Sequence, residues 1–510
     1  MEPATFEDTT GKKKAQETPI AVLGKYCCAD SDYTLRLFPI LEKRLERLEL
    51  REVYELELKV LKVLLGMEVT GVLISERKLR QARENVSLDV LDYQKQILEL
   101  LGKEINLNSP SQLLAALQDF GISIENTQED TLKQLKGKYK IISLILEYRK
   151  KIKLLNTYLK GLPRHIKPST GRVHTSYNQL LTAGRISSSS PNLQQLPKSK
   201  RAKELIRGSL IASPGYKLVS IDYSQMELRV LAHFSQEPEL IRAYLEGEDI
   251  HQKTADLVNI PRQQAKIVNF GIIYGMTPVG LASTLEIPEE EAEDFIERYF
   301  KAYPEVKAWK FKTVNKARKE GFVETISGRK RALPRLNDST PWKRRAAERE
   351  AVNTVIQGSA ADIMKKALVQ VAEAMEIFGE KVRLLLPVHD ELLIEVKESL
   401  VSEVVPIIMK IMASAWRLKV PLEVEAEVGD NWGDMKKFQP SSAIVQIEVY
   451  KIILGIIRKI EKQYGTAKLG EILAETAKHG ISKKRISIAL EQLRAEGTIY
   501  EPKIEEFRRV

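Results

Sequence analysis

The sequence predicts a multidomain α+β protein that ends in a small separate domain. Three observations carry this expectation: a length of 510 residues, strand-like runs that finish on carboxylates, and long stretches of helical periodicity around them. Such a chain exceeds one ordinary core, and roughly one domain per 150 residues suggests about three or four units. Hydrophobic residues make up 43% and charged residues 29%, the balance of a folded protein and not of a disordered one.

Taken in chain order, the first clear element is a helix between Ser143 and Tyr158. Its apolar residues Leu144, Ile145, Tyr148, Ile152 and Leu155 recur every three or four positions, while Arg149, Lys150, Lys151 and Lys153 fall largely elsewhere on the turn. The pattern is a buried stripe with a basic flank, and such flanks are ordinarily solvated faces. From His165 to Gln195 the chain is rich in Ser, Thr, Gly, Pro and Asn and reads as ordered loop. KLVSIDYS, from Lys217, reads as a buried strand, and VRLLLPVHDELLIEV, from Val382, as two strands joined tightly at His389 and Asp390. Asn259-Ile-Pro261 has the form of a helix start, with Asn as cap and Pro in the first turn, followed by RQQAKIVNFGIIYG. Beyond Gly433 the pattern changes. After the turn-forming Gln439-Pro-Ser-Ser442 comes a tail of two or three helical stretches and an extended end, TIYEPKIEEFRRV.

A formal net charge of +11 favours encounters with polyanions without identifying one. No run approaches the roughly 20 apolar residues that span a bilayer, and the first thirty residues contain Asp, Glu and Lys where a signal peptide would be apolar. A cytoplasmic protein without membrane contact is expected. Cys27 and Cys28 are adjacent, so they neither bridge readily nor complete a zinc site, and neither carries the function.

Asp222 and Asp390 each fall at a strand end, where a rigid sheet can position a carboxylate. Mg²⁺ needs only one or two such ligands, because water and substrate phosphates complete its octahedron. On the helix after Pro261, Arg262, Lys266, Phe270 and Tyr274 are spaced four apart and share one face. Two cations near a helix N-terminus favour phosphate, and two rings follow where a base could stack. A solvated amphipathic helix with core aromatics would give the same spacing.

DYSQMELR from Asp222, RQQAKIVNFGIIYG from Arg262 and VHDELLIEV around Asp390 resemble the three polymerase motifs of family A, the DNA polymerase I family. TAGRISSSSPNLQQLP around Arg185 and AAEREAVNTVIQGSAADIMK around Asn353 and Gln357 resemble its supporting segments. The resemblance covers roughly residues 48 to 438. It implies a right hand whose palm is an antiparallel sheet and whose fingers and thumb are helical: palm near 48–75, 166–235 and 346–438, thumb near 76–165, fingers near 236–345. It implies template-directed DNA synthesis by two Mg²⁺ ions, with Mn²⁺ as a substitute, on Asp222 and Asp390, with Glu391 as a supporting carboxylate. Glu227 resembles the steric gate against a ribose. Arg262, Lys266 and His251 would hold the triphosphate, with Phe270 under the incoming base, Tyr274 in the template stack and Gln225 beside the nucleotide. Arg185, Arg349, Asn353, Gln357 and His389 would touch the primer-template, and Arg149 and Lys153 would grip its phosphates from the thumb.

The first 47 residues resemble the end of the family's 3′→5′ exonuclease, with Tyr26 and Asp30 matching its last motif and no counterpart for its earlier carboxylates. No proofreading is expected. Residues 441 to 510 resemble a winged-helix domain of the kind that ends archaeal minichromosome maintenance helicases. With 13 Lys and Arg against 9 Glu, this tail suits DNA or a replication protein as partner, whether acquired naturally or by engineered fusion. The expected partners are primer-template DNA and deoxynucleoside triphosphates, and the expected state is monomeric. Two alternatives are a polymerase with substantial reverse transcription and a silent primer-template binder. Abundant Lys and Glu point to a thermophilic source.

Overall fold

The computed structural model describes residue 7 and residues 14–197, 199–439, 442–477, 483–495, 498–503 and 506–509. Its centre is a five-stranded antiparallel sheet of β1 (Tyr216–Tyr223), β2 (Val382–Val388), β3 (Glu391–Lys397), β4 (Val424–Gly429) and β5 (Lys436–Lys437), in the order β5-β4-β1-β3-β2. Strands β1, β3 and β2 read as largely apolar runs because both their faces are covered, whereas β4 and β5 towards the other edge carry exposed Glu and Lys. Val219, Ile221 and Tyr223 of β1 join Leu392, Ile394 and Val396 of β3 in one core, and Leu218 and Leu393 point into another. Alternation along a strand makes this division possible.

The first core is closed by helices Arg51–Thr70, Ser359–Met375 and Val401–Ser414 and continues through the helices between Pro238 and Ala302. The second is closed mainly by helices Glu76–Leu101 and Lys140–Lys153, which pack together. The tail has a core of its own, with Ile453, Ile457, Ile472, Leu490 and Phe507. There, helices Ser442–Tyr464, Leu469–Ala477 and Lys483–Ala495 accompany a three-stranded sheet of Ala467–Lys468, Glu506–Arg509 and Ile499–Lys503. Among the described residues no helix is long and apolar enough to cross a membrane.

Over the described residues local expectations are met with four differences, while positions 440 and 441 of the expected turn and 504, 505 and 510 of the extended end lie outside them. The helix over 143–158 runs from Lys140 to Lys153 and continues as a π-turn, Leu154–Leu159. Lys151 is not on its solvated flank: it is buried and paired with Asp89 at 2.8 Å. Asn259 caps the end of the preceding helix, Ile250–Val258, with φ +56°, a left-handed conformation Asn tolerates; Pro261 precedes the next helix. The loop over 165–195 contains short paired strands, Ser176–Asn178 with Ser187–Ser189 among them.

A buried ionic cluster ties distant segments together under the sheet. The Arg329 guanidinium meets Asp362 at 2.9 Å and also pairs with Glu57, while Lys365 meets Glu57 at 2.6 Å. Ser327 donates to Asp362 at 2.5 Å. Gly184 belongs to this packing, because at its φ of +73° a Cβ would lie 2.7 Å from Arg329 Nε. Removing one partner of a buried pair strands the other charges. Arg329→Met should therefore lower unfolding free energy by about 3–5 kcal/mol in urea titration; a change below about 1 kcal/mol would show that the cluster is not a structural tie.

Candidate active site

Asp222 stands opposite Glu391 on β3 and Glu425 on β4. Because Val388 pairs with Glu391, only His389 and Asp390 connect β2 to β3, with His389 at φ +57°. The Tyr223 amide donates to the Asp390 carbonyl at 3.2 Å, fixing the turn against the end of β1. Asp222 is exposed and Asp390 half-buried. Among the described residues no third His, Cys, Asp or Glu completes a metal cluster with them. Glu391 turns inward: it accepts from Ser220 Oγ at 2.5 Å and from the Trp432 indole at 2.8 Å. Arg207 lies 4.0 Å from that carboxylate, its guanidinium 4.0 Å from the Trp432 ring.

The predicted four-residue strip exists. On helix Arg262–Ile273, Arg262 and Lys266 are exposed and Phe270 half-buried, whereas Ala265, Val268, Asn269 and Ile272 are buried. The helix stops at Ile273, so Tyr274 continues the strip from the cap position. Arg262 pairs with Asp249 at 2.7 Å. Burial raises the Asp249 carboxyl pKa, but Arg262 and the Gln252 and His251 amides outweigh it and hold the group below its ordinary value. His251, expected with Arg262 and Lys266 at the triphosphate, is set into the helical packing. It is only 3% exposed, bonds Asn269 at 3.0 Å and lies behind Phe270, ring centroids 5.9 Å apart. Burial pulls its pKa down.

Around Tyr274 most of the remaining predicted residues converge. Buried Glu227 accepts from Arg185 at 2.6 Å and from the Tyr274 hydroxyl. Burial, then the Glu227 charge, pushes the Tyr274 phenol well above its usual range. Asn353 Nδ2 reaches the Tyr274 carbonyl at 3.5 Å, and Gln357 hydrogen-bonds Tyr274. Asn353 ends helix Pro341–Asn353, and Gln357 lies within the π-turn Thr354–Gly358 that follows it. Gly275, at φ +69°, leaves room for Arg349, whose Cγ would be 2.7 Å from a Cβ there. Gln225, at φ +54°, accepts from Tyr244 at 3.0 Å. Arg149 stands apart: its guanidinium bonds Thr127 and is half-buried, while Lys153 remains exposed.

Residues 76–434 match the family described as DNA polymerase family A. The chain belongs to that family. It is 39% identical over 455 residues to DNA polymerase I of Pseudomonas aeruginosa, covering 84% of this chain and 50% of that protein. To the thermostable DNA polymerase I of Thermus aquaticus it is 42% identical over 424 residues, covering 79% and 51%. The chain thus spans about half the length of these relatives. A solved structure, the POL domain of Pol1 from M. smegmatis in complex with DNA primer-template and dNTP, matches with TM-score 0.74 and 36% identity over 78% of this chain and 74% of that one. The right-hand polymerase fold is therefore that of family A. Residues 448–510 match the MCM protein C-terminal winged helix-turn-helix domain.

This family A chain has one site residue that the sequence pattern does not disclose. Lys310, on helix Pro304–Glu320, donates to the Ile272 carbonyl at 2.9 Å, next to the Gly275 amide on the same oxygen. It thereby braces the helix end that carries Tyr274, with a cation at the negative end of the dipole. Its ammonium lies 5.3 Å from the Phe300 ring, and burial pulls its pKa down to about 8. Between pH 8 and 10.5 the unfolded chain therefore binds more protons here than the folded one, and stability rises with pH. Relative to Lys310→Met, the wild type should gain on the order of 1–3 kcal/mol across that window. Parallel stability-pH curves from denaturant titration would contradict it.

Proposed function

We propose that this chain is a DNA-directed DNA polymerase that extends a primer 3′ end from deoxynucleoside triphosphates with loss of pyrophosphate. The observation that carries this reading is the meeting of Asp222 and Asp390 at one end of the sheet in a chain that also presents the Arg262, Lys266, Phe270, Tyr274 strip. We assign the sheet region to the palm (48–75, 166–235, 346–438), the helices near 76–165 to the thumb and those near 236–345 to the fingers.

An exposed Asp222 and a half-buried Asp390, with no third His, Cys, Asp or Glu grouped with them among the described residues, suit Mg²⁺, or Mn²⁺ in its place, which keeps water and substrate oxygens in its shell. When bound, the ions activate the primer hydroxyl and neutralise the departing pyrophosphate. Arg262 and Lys266 would bind the triphosphate at the helix N-terminus. Phe270 would pack on the incoming base and sugar. Glu227, fixed by Arg185 and Tyr274, would close the space a 2′-hydroxyl needs. Tyr274 would occupy the template stack until the fingers helix closes on a correct pair, and Asn353, Gln357, Arg349 and His389 would face the primer-template. Most of the rate would come from positioning and charge neutralisation.

Two further assignments rest on the ends of the chain. Tyr26 and Asp30 lie on helix Ile20–Arg47, none of whose residues is buried, so they are proposed not to support proofreading. The winged-helix tail is proposed as a DNA- or partner-binding module that raises local concentration.

One primer-extension assay tests these roles. With Mg²⁺ the wild type should extend. Asp222→Asn and Asp390→Asn should bind primer-template yet lose at least roughly 10³-fold in rate. With nucleotides withheld, a mismatched primer should stay intact. Ending the chain at Phe438 should shorten products at limiting enzyme, most at high salt. Extension by either aspartate variant at the wild-type rate would refute the active-site assignment.

A further inference from the structure

One exposed helix face extends beyond the residues already placed at the primer-template. Helix Pro341–Asn353 buries Ala347 and Ala351 on its inner side. On its outer side, Trp342, Arg345, Arg349 and Asn353 follow at spacings of three, four and four, so they form one stripe. Trp342 is 67% exposed. The Lys343 ammonium lies 5.7 Å from its ring.

The charges along this stripe are not neutralised from within. Glu350 is taken by Arg331 at 2.9 Å, and Glu348 pairs with Arg318. Arg344 and Lys343 lean toward Asp338. Among the described residues no acid pairs with Arg345 or Arg349. A large indole left in water beside two available guanidinium groups matches the chemistry that binds single-stranded nucleic acid: bases stack on the ring and phosphates pair with the cations.

The stripe also has a direction. Its C-terminal end touches the site, through Asn353 on the Tyr274 carbonyl and Arg349 over Gly275. Its other end, Trp342, lies eleven residues away, roughly 16 Å along the helix. That length accommodates several unpaired nucleotides and points away from the position where Tyr274 would meet the template.

We propose that Trp342, Arg345 and Arg349 form a track for the unpaired template strand ahead of the polymerase site, with Trp342 as the stacking platform at its far end. The proposal rests on the polymerase reading, because that reading makes Tyr274 the point where template enters.

The test is equilibrium binding, with no nucleotide present, of fluorescent primer-templates whose template 5′ overhang is one or eight nucleotides. Wild type should bind the long overhang more tightly. Trp342→Ala should lose at least about fivefold on the long overhang, Trp342→Phe should retain most of the gain, and Arg345→Ala should lose part of it with a smaller salt dependence. On the one-nucleotide overhang Trp342→Ala and Arg345→Ala should match wild type. Equal wild-type affinity for both overhangs, or a Trp342→Ala loss shared by both, would overturn the track while leaving the polymerase reading standing. Absence of any primer-template binding by wild type would overturn both.

Discussion

The hydrogen bond from the Tyr223 amide to the Asp390 carbonyl closes the end of the β1–β3 pairing, and the geometry of the site hangs on that pairing. A one-residue slip would exchange the faces of every side chain on β1. Slippage is opposed from both sides, since Val219 and Ile221 are sunk in one core and Leu218 in the other. The register leaves two carboxylates at the rim and turns a third inward. Glu391, gripped by Ser220 and Trp432 with Arg207 close by, acts as the peg that sets the hairpin end. The tight two-residue connection then leaves Asp390 little freedom to drift from Asp222.

A second constraint converges on Tyr274. Helix Arg262–Ile273 ends one residue before it, Lys310 braces that end, Asn353 at the end of helix Pro341–Asn353 reaches its carbonyl, and Gln357 in the π-turn that follows reaches its hydroxyl. Its hydroxyl meets Glu227, which Arg185 holds from the other side. Arg185 follows Gly184, which packs on Arg329, so the buried Glu57–Arg329–Asp362–Lys365 cluster underlies the loop carrying the Glu227 partner. The sheet and helix Arg262–Ile273 are thus coupled through a few polar contacts, and a change at Tyr274 would be felt at Glu227.

What the sequence disclosed was mainly local. The two Asp-bearing strand ends, the strip on the Arg262 helix and the separate tail each announce themselves through periodicity or turn chemistry within some fifteen residues. Partnerships across tens of residues do not. Lys151 and Lys310 look like solvent-facing lysines until Asp89 and the Ile272 carbonyl are brought to them. Arg149 carries the same charge as Lys153 but is held by Thr127, and His251 is buried by a helix that follows it in sequence. Asn259 was ambiguous for a different reason: Asn suits both helix starts and left-handed helix ends, and only the backbone φ decides between them. Motif resemblance supplied roles for residues whose surroundings it could not describe, Glu391 above all.

The central claim is that Asp222 and Asp390 together hold the reactive metal ions. Its most direct measurement is anomalous diffraction from crystals grown with Mn²⁺, primer-template and a non-hydrolysable nucleotide. The account predicts Mn²⁺ peaks bridged by the carboxylates of Asp222 and Asp390, with Glu391 still turned toward Trp432. Peaks held by other residues, or carboxylates too far apart to share an ion pair spaced about 4 Å, would contradict it.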